Sequence, residues 1–237
     1  MKVSLYNDDI GFVELVQSMG EDITVVNSAR VSFGVHKESL DDKDKKLINY
    51  LIKHRHTSTL EHNIATFRIK VPLFIRSQHH RHRTWSYNEI SRRYTDVNLE
   101  FYESDLLRTQ HKSNRQSSNQ EHINPELSMS TDFASTPRFI KATEAIKEHH
   151  KLSLEIFDKL LQSGVCREQA RGILPQNLYT EYYATANLNN ILKFVDLRTH
   201  EGAQWEIQKL AEGMLSIVES LWPETIKCYT NIKNSVK

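Results

Sequence analysis

Between residues 65 and 71 the chain alternates: Ala65, Phe67, Ile69 and Val71 are apolar, and Thr66, Arg68 and Lys70 separate them. A period of two predicts a strand with one buried face. Pro72 follows at a position suited to the first turn of a helix, so Leu73–Arg81 is expected to continue as one. Upstream, Ser39 precedes Asp41 and Asp42, and Lys43–His54 runs from an acidic start to a basic end. That order matches the helix dipole and predicts a helix of about three turns. Further on, Phe139, Ala142, Ile146, Ile156 and Leu160 share one helical stripe, with His149 and Ser153 as polar departures. They predict a helix over Pro137–Ser163, ended near Gly164. The Tyr- and Thr-rich run Leu178–Thr185 predicts a strand. Asn187 is placed to cap a helix over Leu188–Leu197, and Ile207, Leu210, Met214, Val218 and Leu221 mark a last long helix. At the start of the chain, a strand is expected at Lys2–Tyr6 and a helix at Gly11–Met19. Residues 104–137 lack an apolar pattern, with SNRQSSNQ at their centre, and read as a surface loop or lid. Helices alternating with isolated strands predict an α+β fold, a mainly antiparallel sheet packed by helices, in one domain over residues 1–237.

Composition narrows the function. The chain has 237 residues, enough for a sizeable core without disulfides or metal. Its net charge of +1 argues against a general polyanion binder. Its basic residues are concentrated locally, which favours a small phosphorylated ligand. Cys166 and Cys228 are the only cysteines, as expected for a reducing cytoplasm. MKVSLYNDDIGF has no apolar run resembling a signal peptide, and no stretch approaches the length of a membrane span.

Four constellations carry candidate chemistry. From Arg76 to Arg93 there are five arginines (76, 81, 83, 92, 93), three histidines (79, 80, 82) and a single acid, Glu89. Repeated guanidinium forks in one region suit a ligand with several phosphates. A solvated basic loop is the alternative, but Trp85, Tyr87 and Tyr94 are interleaved. Residues 54–62 read HRHTSTLEH, three histidines with Glu61. Arg55 lies inside that cluster and the spacing fits no strong metal motif, so no metal is expected; a structural or cofactor-contacting role is. Arg167 and Arg171 are one helical turn apart, and read alone they are two exposed arginines. Asn187 and Asn189 open a helix that Arg198 closes. An arginine there either meets the helix dipole or polarises a carbonyl, and periodicity does not choose. No nucleophile has a visible partner base, and no GxGxxG or GxxxxGK[ST] is present.

In order, the chain carries ARVSF (29–33), HxSxxEH (56–62), QxxRHR-x7-S (78–91), RY (93–94), RxxLPxNxYT (171–180) and a last block from Asn187 through Lys193 and Arg198 to AQWEIQ (203–208). This series resembles the flavin-dependent thymidylate synthases over nearly the whole chain. The resemblance implies methylation of dUMP to dTMP, with methylenetetrahydrofolate as carbon donor, NADPH as reductant and bound FAD as hydride carrier. It also implies a homotetramer whose sites are shared between subunits.

Carried onto this chain, the resemblance implies FAD contacts from Ser58, Arg81, His82, Arg83, Glu89, Asn187 and Asn189, with Ser32 and His56 lining the flavin. Lys193 stands where an asparagine contacting FAD is common. The nucleotide is expected to meet Gln78, Arg81, Glu89, Ser91, Arg92 and Arg93, with His79, His80 and Ile90 in the same motif and Arg171 reaching in from a neighbouring subunit. Ser91, with arginine neighbours and no base, is expected to bind phosphate rather than attack C6. Arg198 is expected to hold the uracil edge and stabilise its anionic form, which activates C5. The chain departs from the family pattern at Gly202, where some members carry a histidine, in SNRQSS (113–118), and in the polarity of His79 and His80.

Overall fold

The structure, a computed structural model, describes residues 1–130 and 137–235. In chain order the elements are β1 (Lys2–Ser4), β2 (Phe12–Met19), α1 (Asp22–Arg30), α2 (Asp42–Lys53), β3 (Ile64–Pro72), α3 (Leu73–His79), β4 (Ser86–Glu89), β5 (Leu107–Gln110), β6 (Ser118–Ile123), β7 (Glu126–Met129), β8 (Arg138–Lys141), α4 (Ala142–Gln162), α5 (Arg167–Ala170), β9 (Tyr179–Asn187), α6 (Leu188–Arg198), α7 (Trp205–Leu221) and α8 (Pro223–Ser235). Short 3-10 turns fall at Val31–Phe33, Thr57–Leu60 and Arg171–Ile173. The fold class is α+β with a mainly antiparallel sheet, as the alternating pattern predicted. Two compact units interleave in sequence: Met1–Lys70 with Gln78–Glu89 and Glu181–Lys237, and Val71–Ser77 with Ile90–Thr180.

The first unit is built on a sheet of order β1-β2-β3-β9-β4. In β3, Ala65, Phe67 and Ile69 are fully buried, the apolar face read from their alternation. On the opposite face Arg68 meets Glu181 at 2.8 Å, and Thr66 bonds Thr185 across to β9 at 2.9 Å. α7 lays Ile207, Leu210, Met214 and Val218 into the core. Gly213 lets it approach β2: a Cβ there would lie 2.8 Å from Val13 Cγ1 and 3.1 Å from Leu5 Cδ2. Buried charges are matched by donors. Asp44 pairs with Arg30 and Lys37, and Asp22 caps α8 by accepting from Glu224 N at 3.0 Å and Thr225 N at 2.9 Å.

Several local expectations change. Gly11–Met19 is not a helix; Phe12–Met19 is β2, hydrogen-bonded to β1 on one side and β3 on the other, with a bulge between Leu15 and Gln17. Two ladders and the burial of Phe12 and Val13 outweigh an apolar spacing that also fitted a helix. α8 went unread, although Pro223 opens it and Thr225, Ile226, Cys228 and Tyr229 are its buried face.

In the second unit the helix expected from Pro137 starts at Ala142, because Arg138–Lys141 pairs with Glu126–Met129 as a hairpin. α4 buries Ala142, His150, Ser153 and Phe157, a face rotated from the predicted stripe and including one of its two expected polar positions. His150 is held there by Glu103 at 2.8 Å and by the stacked ring of Phe101, 4.4 Å away. The segment read as loop or lid carries β5, β6 and β7, mostly exposed strands, and its residues 131–136 lie outside the described residues. Short strands that are largely exposed leave too little apolar alternation to read.

Gly213→Ala is expected to destabilise the protein by about 1 kcal/mol, overpacking against Val13 exceeding the gain in helix propensity. A thermal unfolding midpoint at or above that of the parent protein would contradict this close approach.

Candidate active site

The first unit gathers rings around His79, the last residue of α3, which is fully buried. Its Nδ1 lies 2.9 Å from the Tyr182 hydroxyl of β9, and its ring is 4.7 Å from both Trp85 and Phe194, and 5.3 Å from Tyr87. Burial first, then the charges of His82, His80 and Arg198, hold its pKa well below the usual 6.5. The Tyr87 hydroxyl lies 3.0 Å from the His79 carbonyl and 3.1 Å from that of His82, so it clamps the turn carrying Arg81-His82-Arg83. Burial raises the Tyr87 pKa, so it stays a donor. Arg81 and Arg83 are thereby left exposed on a fixed backbone, free of the core their neighbours enter.

Arg198 reaches this turn from the end of α6. Its Nε donates to His82 Nε2 at 3.1 Å, and an Nη donates to the Gln78 carbonyl at 3.3 Å. Burial, then the Arg198 charge, lowers His82 to about 4, so His82 is neutral near pH 7 and acts here as an acceptor. The carboxylate nearest in sequence, Asp196, is engaged elsewhere, by Tyr229 and by Lys233 at 2.9 Å. Arg198 is therefore oriented by neutral acceptors, with no carboxylate among the described residues paired to it. The side chain of Gln78 donates to Gln204 at 2.6 Å, and Gln204 donates to buried Glu206 at 2.9 Å.

A second feature of this unit is a cavity of about 550 Å³ lined by Ser28, Ala29, Leu51, Arg55, His56, Thr57, Ser58 and Thr59. That volume is ordinary for a small-molecule site. Ser32 is anchored beside it, donating to the Ala29 carbonyl at 3.0 Å. Glu61, just past the turn that lines the cavity, accepts from Asn189 at 2.9 Å. Asn187 caps α6 by accepting from Asn190 N at 3.0 Å, and Lys193 is exposed one turn beyond Asn189. Hydroxyls, an imidazole, a guanidinium and a helix N-terminus are donors suited to a polar anionic cofactor, so these residues fit FAD. Among the described residues no group of three His, Cys, Asp or Glu side chains could hold a metal.

In the second unit, Ser91 Oγ accepts from Arg93 N at 3.3 Å, and Arg93 also donates to Tyr94 Oη at 3.1 Å. No base contacts Ser91 in these interactions. Arg92 is directed to backbone instead, donating to the carbonyls of Val97 at 2.6 Å and Asn98 at 3.2 Å. Arg167 pairs with Asp96 at 2.8 Å, and Arg171, one turn on, is exposed. Of the expected site residues, then, Gln78, His82 and Arg198 are in direct contact, His56 and Ser58 share a cavity with Ser32 beside it, and Ser91 meets Arg93. His80 packs its ring on Tyr87 at 4.2 Å, Glu89 pairs in β4 with Tyr182 of β9, and Ile90 is half-buried. Sequence reasoning missed Tyr182 as the partner of His79, because the run YTEYYAT reads only as a strand. It also missed Gln204 as the partner of Gln78, although the AQWEIQ block contained it.

The chain matches the family described as thymidylate synthase complementing protein over residues 14–224. It is 38% identical over 221 residues to a flavin-dependent thymidylate synthase of Thermotoga neapolitana, covering 93% of this chain and 91% of that protein. A flavin-dependent thymidylate synthase of Thermus thermophilus is 39% identical over 215 residues, covering 91% and 74%. Among solved structures, the UMP/dUMP methylase PolB from Streptomyces cacaoi bound with 5-Br dUMP is similar with a TM-score of 0.77 and 33% identity, covering 97% of each chain. The chain belongs to the flavin-dependent thymidylate synthase family.

Because His79 and His82 are both depressed below 6.5, the unfolded chain takes up protons that the native chain refuses. Their contribution leaves stability unaffected above about pH 6.5 and reduces it as pH falls toward 4. Thermal unfolding followed across that window is expected to show a falling midpoint, less steep in His82→Gln. Identical slopes for the two proteins would contradict a neutral His82.

Proposed function

We propose that this chain methylates dUMP to dTMP in de novo thymidylate biosynthesis, with bound FAD, with NADPH as reductant and with 5,10-methylenetetrahydrofolate as carbon donor. The observation that carries the reading is Arg198, a guanidinium fixed by His82 and the Gln78 carbonyl and left without a carboxylate among the described residues. Uracil has an acidic imide, and a cation held beside it favours the ionised ring, whose C5 is the more nucleophilic. When bound, FAD supplies the hydride chemistry. The protein's part is to bind, orient and supply charge. That division fits Ser91, which meets no base among the described residues and is assigned to the phosphate with Arg93.

In this reading Arg81 and Arg83 meet the phosphates of the cofactor, and His56, Ser58, Ser32, Asn187, Asn189 and Lys193 surround the rest of it. Gln78, Glu89 and Ile90 belong to the nucleotide site, and Arg171 completes the site of another subunit in a homotetramer. The 1–237 chain acts as a single catalytic domain in the cytoplasm. No described helix is long and apolar enough to cross a membrane.

Arg198→Ala is expected to keep FAD bound, seen as an unchanged visible spectrum, and to lose turnover by about 10²–10³-fold, the scale of one electrostatic donor. Turnover matching the parent protein would remove Arg198 from the chemistry. Colourless parent protein that takes up no added FAD would refute the whole reading.

A further inference from the structure

Arg55 occupies a backbone position that normally belongs to glycine. After α2 ends at Lys53, Arg55 N bonds the Ile52 carbonyl at 3.1 Å and His56 N bonds the Leu51 carbonyl at 2.8 Å. This pair of bonds is the Schellman ending of a helix, in which the residue after the cap turns left-handed. Arg55 does so, with φ 56°. Glycine takes that conformation without steric penalty, whereas a side chain crowds its own carbonyl. The arginine gives nothing back locally: its side chain is exposed and no hydrogen bond or ion pair to a described residue accounts for it. It does, however, line the cavity of about 550 Å³, in company with Ser28, His56, Thr57 and Ser58.

We propose that Arg55 is a ligand-binding residue that holds phosphate oxygens of the dinucleotide seated in this cavity, and that the chain keeps a disfavoured backbone conformation to place it there. The inference rests on the flavin reading of the site and deepens it. A guanidinium flanked by hydroxyls on a concave surface is suited to phosphate, with its fork able to donate two parallel hydrogen bonds. The left-handed backbone fixes where the side chain leaves the turn, directly before His56 and Ser58, so that a change of backbone would re-aim it.

Two variants separate charge from backbone. Arg55→Gly removes the cation and relieves the conformation; Arg55→Ala removes the cation alone. In apo-protein, Arg55→Gly is expected to raise the unfolding midpoint by about 2–4 °C, and Arg55→Ala to leave it near the parent value. Both are expected to weaken FAD by about tenfold or more, read as the dissociation constant from flavin fluorescence, and to leave riboflavin, which has no phosphate, unchanged. FAD binding by Arg55→Gly equal to that of the parent protein overturns the proposal, as does an equal loss for FAD and riboflavin. An unraised midpoint in Arg55→Gly overturns the part concerning the backbone. If the parent protein binds no FAD, it is the flavin reading that fails, and this assignment falls with it.

Discussion

The constraint on which the first unit depends is the burial of a neutral histidine. His79 is enclosed by Trp85 just before β4, Tyr87 of β4, Tyr182 of β9 and Phe194 of α6, so one ring meets two strands and a helix. A charged imidazole there would lose hydration that aromatic edges do not replace. Its Nδ1 is matched by the Tyr182 hydroxyl, and its carbonyl is bound by Tyr87. The turn that follows therefore leaves the core in a set direction. His82 is half-buried within reach of α6, and Arg81 and Arg83 are outside.

From this packing follows the electrostatic arrangement. Carboxylates near the site are already committed: Asp196 to Tyr229 and Lys233, Glu61 to Asn189, Glu206 to Gln204. Arg198 is left with neutral acceptors. A cation paired with a carboxylate would have little to offer a developing anion, whereas one oriented by an imidazole and a carbonyl keeps its charge. The same logic appears at Arg55, where a guanidinium without a side-chain partner among the described residues lines a cavity. In both places a guanidinium has no carboxylate partner among the described residues.

The motifs were more legible in the sequence than the elements that carry them. The blocks around Arg81, Arg171 and Arg198 could be read in order because they depend on residue identity at fixed spacing. β3 and α6 were legible because burial on one face imposes a period and Asn187 supplies a cap. β2 was misread because FVELVQSM satisfies both periods over a short span, and only its two neighbouring strands decide. The hairpin strands between 107 and 129 left no pattern, since they are largely exposed and held by backbone bonds. The contact between His82 and Arg198 joins residues 116 positions apart, and nothing local encodes it. The left-handed Arg55 was equally invisible, although the sequence did show it among the histidines, where it argued against a metal.

The central claim is that the charge of Arg198 serves substitution at C5 of the uracil ring. Methylation there displaces the hydrogen at C5, so the most direct measurement is tritium release from dUMP labelled at C5. It would use flavin-loaded protein with NADPH and methylenetetrahydrofolate. The account predicts release that keeps pace with dTMP formation and that collapses in Arg198→Ala while flavin and nucleotide stay bound. Tritium release by Arg198→Ala at the parent rate, or none from a parent protein that holds both flavin and nucleotide, would contradict it.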